Sequence, residues 1–273
     1  MSNSAIHIGT QGWNYEGWLG AFYPRGTRAS DYLDLYVKVF DTVEIDSSFY
    51  AIPSAASIQS WYKRAPQGFT YSLKLPQEIT HHNRLQNSEE LLARFCERVR
   101  GLQEKLALIL IQMPPDFSPR SLPALEKFLP LVPDDLRFAI EFRDQHWLLD
   151  DVGEYLLEIL KANRVALALI DSKWLSRERM LELAEQPTAD FSYVRWLGPQ
   201  ELTDYSRIQI NRDQEFVLWA EVVAKLRQQV SAGYGYFNNH YQGHSPGSAN
   251  HFKQLLGQEI VLPAALEKQP SLF

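Results

Sequence analysis

The stretch FDTVEIDSSFY, residues 40–50, reads as a short buried strand that carries two acids. Side chains alternate along a strand, so Glu44 and Asp46 point one way while Val43 and Ile45 point the other. An unpaired charge in a dry interior costs several kcal/mol, so a face with two carboxylates is not an ordinary core. Ser54 then precedes AASIQSWYKRA, a segment of helical period opened by a capping residue. A strand with a polar end, running into a helix, is one βα unit.

The unit recurs. Strand-like runs begin at Ala5, Thr42, Phe69, Leu106, Arg137, Val165, Phe191 and Tyr234, eight in all, at a spacing of roughly 30 residues. Helical segments lie between them, with Ser30, Ser54, an Asn87/Glu90 capping box, Ser121, Asp150, Ser176, Asn211 and Ser248 as their expected starts. A doubly wound sheet would carry a glycine fingerprint after its first strand, whereas the turn here reads GTQGWNYEGW. The expected fold is therefore α/β, a single (β/α)8 TIM barrel over residues 1–273, with residues 258–273 as a C-terminal tail packed on the barrel or trailing from it.

Composition bounds the partners. The chain is 45% hydrophobic and 22% charged, as in a globular protein with a sizeable core. Its formal charge of -6 argues against a bulk grip on phosphate backbones, although a local basic patch would be compatible with it. The start MSNSAIHIG lacks the regions of a secretory signal, and the longest apolar run, LALILI, falls far short of a membrane span; a cytoplasmic location is expected. Cys96 is the sole cysteine and lies on the apolar stripe Leu91, Leu92, Phe95, Cys96 and Val99, which predicts a packed thiol and excludes an internal disulfide.

In such barrels the site forms where the strands end, so late polar residues are the candidates. They are Gln11, Glu44, Asp46, Lys74, Gln112, Glu141, Arg143, Asp171, Arg195, Asn238 and His240. Alternation sets Phe138, Ile140 and Phe142 against Glu141 and Arg143, and Tyr71, Leu73 and Leu75 against Ser72 and Lys74. The acids Glu44, Asp46, Glu141 and Asp171 with the cations Lys74, Arg143 and Arg195 predict a charged, wet mouth. Near the end, FNNHYQGHSPGSANHF offers a Gly/Ser loop before a helix, where an anionic group could meet free N–H groups; a plain turn and cap is the alternative. His240 and His244 stand four apart in a segment too rich in glycine and proline for a regular metal-binding pair. His81 and His82 follow the third strand, and Trp13, Tyr15, Trp18, Phe22 and Tyr23 crowd the first loop, either to stack on a ligand or to fold that loop down.

Taken in order, GTQGWNYEGWLGAFYP, FDTVEIDSSFYAIP, LKLPQEITH, QMPPDF, IEFRDQHW, YVRWLG and YFNNHYQGHSPGSAN resemble the YecE-like family, also called domain of unknown function 72 (DUF72), from Gly9 to Asn250. The resemblance implies a TIM barrel and a relation to sugar isomerases. It singles out Trp13, Glu44, Ser47, Phe49, Tyr50, Lys74, Gln112, Glu141, Arg143, Asp171, Arg195, Asn238 and Asn239. Asp46 stands where that family often has Asn, and Leu197 where it often has His.

Three functions follow as expectations. The first is an enzyme acting on a small anionic carbohydrate-like molecule by acid/base chemistry of isomerase, epimerase or lyase type. Glu44, Lys74, Glu141 and Asp171 would be catalytic, and Gln11, Trp13, Asp46, Gln112, Arg143, Arg195, Asn238, Asn239 and His240 would bind substrate. No cofactor is expected for it. The second is a metal-dependent phosphoesterase, possible on nucleic acid, with a divalent ion on Glu44, Glu141, Asp171 and His240; three cations in the same mouth oppose it. The third is a non-catalytic binder of an anionic metabolite.

Overall fold

All eight strand-like runs become strands in the computed structural model, which describes residues 4–266. The order is β1 (Ala5–Gln11), α1 (Tyr32–Tyr36), β2 (Thr42–Ile45), α2 (Ala55–Arg64), β3 (Thr70–Lys74), α3 (Glu89–Val99), β4 (Leu106–Gln112) and α4 (Leu122–Phe128). It continues with β5 (Phe138–Glu141), α5 (Asp150–Ala162), β6 (Val165–Ser172), α6 (Arg177–Leu183), β7 (Phe191–Gly198), α7 (Asp213–Leu226), β8 (Ala232–Phe237), α8 (Asn239–Gln242) and α9 (Ser245–Leu255). The strands pair in parallel in chain order and close, with His7 in register with Tyr234 and Thr10 with Phe237. The fold is a (β/α)8 barrel of the TIM type.

Strand parity fills two cores. Outward positions such as Val43, Ile45, Leu73, Ile109, Ile111, Phe138 and Ile140 pack beneath the helices. The interior is a separate cluster in which Phe191, Tyr193 and Tyr236 meet Leu108, Leu110, Ala139, Ala166 and Ala168, large residues opposite small ones. Tyr236 keeps its hydroxyl satisfied there, 2.6 Å from Thr42 Oγ1 and 2.8 Å from Ser72 Oγ. At the end of β7, Gly198 has φ +66°, and a Cβ on it would lie 2.4 Å from the His240 carbonyl oxygen, so only glycine lets α8 approach so closely.

Capping chemistry holds in part. Ser54 accepts from Ser57 N at 3.0 Å and Ser176 from Arg179 N at 3.4 Å. The Asn87/Glu90 box does not form: Asn87 takes φ 48°, and α3 starts at Glu89 after Ser88. Helix α1 starts at Tyr32 behind a turn of Ala29–Asp31, not directly after Ser30. Helix α9 begins at Ser245, which leaves Ser248 in its first turns with its hydroxyl donating back to the His244 carbonyl. Cys96 is buried on α3. Of the expected tail, Gln258 donates to the Ile6 carbonyl at 2.7 Å and Leu266 is buried; residues 1–3 and 267–273 lie outside the described residues. No described helix is long and apolar enough to cross a membrane.

Candidate active site at the barrel mouth

The carboxyl end of the barrel is built around Arg195. Its Nε and Nη2 donate to the two oxygens of Glu44 at 2.9 and 2.8 Å, while Nη1 donates to Glu141 and, at 3.3 Å, to Gln112 Oε1. Tyr193, one interior position lower on β7, donates its hydroxyl to the same Glu44. Glu44, Glu141 and Arg195 are essentially without solvent contact. The sequence expectation set these acids in an open mouth; instead they close on one guanidinium, because parity aims β2, β5 and β7 side chains at one point on the barrel axis. Burial alone would raise the Glu141 carboxyl, but the charges and hydrogen bonds of Arg195 and Arg143 outweigh it and hold its pKa at about 2. Burial pushes the Tyr193 phenol well up, and the Glu44 charge adds to this, so that tyrosine stays a donor.

The groups that meet solvent lie one step higher. Lys74 Nζ sits 2.5 Å from Asp46 and 3.6 Å from Glu44, and Asp46, at the end of β2, retains 35% side-chain exposure. Arg143 Nε donates to Glu141 Oε1 at 2.8 Å, and its guanidinium lies 4.2 Å over the Trp174 ring. Among the described residues Arg143 makes no hydrogen bond through its two terminal nitrogens. Just beyond β3, the strand that carries Lys74, the half-buried His81 packs edge-on to Phe49 at 4.9 Å, and Phe49 to the exposed Tyr50 at 5.3 Å. Burial lowers the His81 pKa, and the charges of Arg143 and Lys74 lower it further.

The remaining candidates divide. Gln11 joins the mouth, its Oε1 accepting from Asn238 Nδ2 at 2.8 Å; the opposite amide orientation would set its oxygen 3.2 Å from Arg195. Gln112 belongs to the Arg195 network. Asp171 does not join. It takes Arg177 Nε and Trp219 Nε1 at 2.8 Å and the Tyr241 hydroxyl at 3.1 Å, outside the barrel wall. Ala166 and Ala168 hold the interior positions of β6, so parity turns residue 171 outward to the helices. Trp13 packs on Trp61 and Tyr71, and Tyr71 faces outward; Trp18 is wholly buried. The first-loop aromatics thus fold that loop onto the barrel.

Asn239 and the last loop form a closed cap. Asn239 Oδ1 accepts from Trp18 Nε1 at 2.9 Å, Ser245 N at 3.0 Å and Ser245 Oγ at 2.8 Å, and Ser245 and Ser248 have no exposed surface. The start of α9 is therefore occupied by Asn239, not open to an anion. His240 Nε2 lies 3.1 Å from the Tyr205 hydroxyl, and His244 Nδ1 lies 2.8 Å from the Tyr205 carbonyl, so neither histidine faces the acids. Leu197 is packed into the core. Among the described residues no group of three or more His, Cys, Asp or Glu is arranged to hold a metal ion. Arg195 stands between Glu44 and Glu141, and Asp171 and His240 lie apart from both, so the proposed metal ligands do not fit a common ion.

His81 and Trp174 join the mouth from loops, beyond the strand-end residues that the sequence pattern singles out. For His81 the signal was its position just after β3; for Trp174 it was its position two residues beyond β6.

A closed parallel barrel whose strand ends gather a charged cluster defines the class: a TIM-barrel protein with a polar mouth. The chain belongs to the family described as Protein of unknown function DUF72, which matches residues 7–271. It is 26% identical to the UPF0759 protein YunF of Bacillus subtilis over 98% of this chain and 100% of that one. It is 24% identical to the UPF0759 protein YecE of Escherichia coli K12 over 83% of this chain and 84% of that one. A crystal structure of a DUF72 family protein from Thermotoga maritima superposes with a TM-score of 0.79 at 25% identity, covering 93% of this chain and all of that one. One from Enterococcus faecalis has a TM-score of 0.77 at 22% identity, covers 97% of this chain and 99% of that one, and shares the fold.

Proposed function

We propose that the mouth binds a small anionic carbohydrate-like molecule and moves a proton on it, chemistry of isomerase, epimerase or lyase type. The observation that carries the reading is Arg143: anchored through Nε alone and stacked on Trp174, it offers the paired terminal N–H groups that grip a carboxylate or phosphate. Lys74 is the second cation and can polarise a carbonyl or hydroxyl oxygen.

Roles shift from those read in the sequence. Glu141 stays ionised at neutral pH with its oxygens engaged by Arg143 and Arg195, which makes it a poor proton shuttle. His81 suits that role better, since burial and neighbouring cations keep its imidazole neutral and able to accept a proton at pH 7. Glu44, Glu141 and Arg195 then serve as the frame that fixes Lys74 and Arg143.

A thermal-shift panel of glucose 6-phosphate, ribose 5-phosphate, gluconate and glucuronate tests the binding half. At least one should stabilise the protein, and Lys74→Met should remove that stabilisation. Incorporation of solvent deuterium into the bound compound, followed by NMR, tests the proton half. His81→Asn should keep binding and lose exchange; exchange at the parent rate in that variant would remove His81 from the mechanism. Binding with no exchange in the parent protein would favour the non-catalytic binder.

A further inference from the structure

A hollow of about 690 Å³ lies on the outer helical layer between α2 and α3, and its lining shares no residue with the charged cluster of the mouth. It has the size of a small-molecule site, which falls in the range of roughly 300–1,000 Å³. Two facing helical stripes make it. Positions 55, 58, 59, 62 and 63 on α2 and 94, 97 and 98 on α3 recur at the spacing of a single face. Gly101 brings the chain after α3 against α2, since a Cβ there would lie 2.8 Å from Ile58 Cγ2. Contact at that end leaves the stripes apart beyond it.

The lining is divided in chemistry. Ile52, Ile58 and Tyr62 give an apolar floor, and Lys63, Arg94 and Arg98 stand around it with Glu97 as the lining acid. Among the described residues none of these three cations pairs with a carboxylate; Arg98 donates to the Pro53 carbonyl at 3.1 Å. Their neighbours behave otherwise: Arg64 pairs with Asp34 and Arg100 with Asp135, each at 2.8 Å. In a chain with a formal charge of -6, the unpaired cations are thus turned toward the hollow while adjacent ones are neutralised.

We infer that this hollow is a binding site for an amphipathic organic anion, one carboxylate, sulfonate or phosphate joined to an apolar body. The apolar body covers Ile58 and Tyr62, and the anionic head meets Lys63, Arg94 and Arg98. The site is independent of the mouth reading.

Anilinonaphthalene sulfonate has this chemistry and reports its own burial by fluorescence. It should bind the folded protein at one saturable site. The K63E/R94E double variant, altered at two exposed helix positions, should weaken binding by at least about tenfold. Gln59→Trp, which fills the hollow and leaves its charges, should block binding as well, so the test survives if the charge variant does not fold. Octyl phosphate should displace the probe, and octyl glucoside, with the same chain and no charge, should not. Unchanged affinity in both variants, absence of binding, or equal displacement by the two octyl compounds would overturn the inference.

Discussion

Arg195 and Glu44 form a two-point ion pair inside the barrel, Nε to Oε2 at 2.9 Å and Nη2 to Oε1 at 2.8 Å, with neither residue more than 1% exposed. The same guanidinium holds Glu141, so one cation bridges two acids carried by β2 and β5. Removing it leaves two buried carboxylates with Lys74 and Arg143 as their remaining cations and the Tyr193 hydroxyl as a donor to Glu44.

Arg195→Met should therefore destabilise the protein by about 3–5 kcal/mol, and Arg195→Lys should recover less than half, because an ammonium cannot reproduce the planar fork. Urea denaturation at neutral pH measures both. A loss below about 1 kcal/mol for the methionine variant would mean that the network does not carry this load.

Acid should act through Glu141. A carboxyl held at about 2 in the folded chain, against an ordinary 4.5, contributes stability that is complete above pH 4.5 and is lost as the pH falls toward 2. The size of that contribution is about 3 kcal/mol. Denaturation midpoints at pH 7, 4 and 3 should fall more gently in Glu141→Gln than in the parent protein. Parallel curves would contradict the assignment.

His81 should titrate below the ordinary histidine value of 6.5. The sign is that of a group resisting protonation: the unfolded chain takes up the proton first, so His81 makes the fold less stable as the pH drops below 6.5. Arg143→Met removes one of the charges opposing the imidazolium and should raise the midpoint, read from the imidazole carbon-bound protons by NMR. A midpoint unmoved by that change would separate His81 from Arg143.

Asp171→Asn should act on the fold, not the mouth. It weakens contacts with Arg177, Trp219 and Tyr241 and should cost about 1–3 kcal/mol while leaving anion binding intact. Loss of anion binding at unchanged stability would return Asp171 to the site.

The sequence made the barrel legible because each strand run was apolar, short and followed by a capped helical period, and because Glu44, Lys74 and Glu141 broke the apolar pattern at strand ends. It misplaced Asp171 because VALALI is apolar at both parities, so only the interior alanines of the folded barrel tell which face residue 171 takes. It overrated the α9 loop because a Gly/Ser turn looks the same whether its N–H groups are free or, as here, taken by a side chain such as Asn239. It does not single out His81 and Trp174 because a loop residue's reach depends on where the loop folds, which local periodicity does not encode.

The central claim is that Arg143 and Lys74 hold the anionic group of a small sugar derivative. Calorimetric titration of the best-stabilising compound of the panel into the parent protein and Arg143→Met tests it most directly. Loss of a charge-assisted hydrogen-bonding pair is worth about 1.5–3 kcal/mol, so Kd should rise by roughly ten- to a hundredfold. Equal Kd values in the two proteins, or no binding of any panel anion by the parent, would contradict the account.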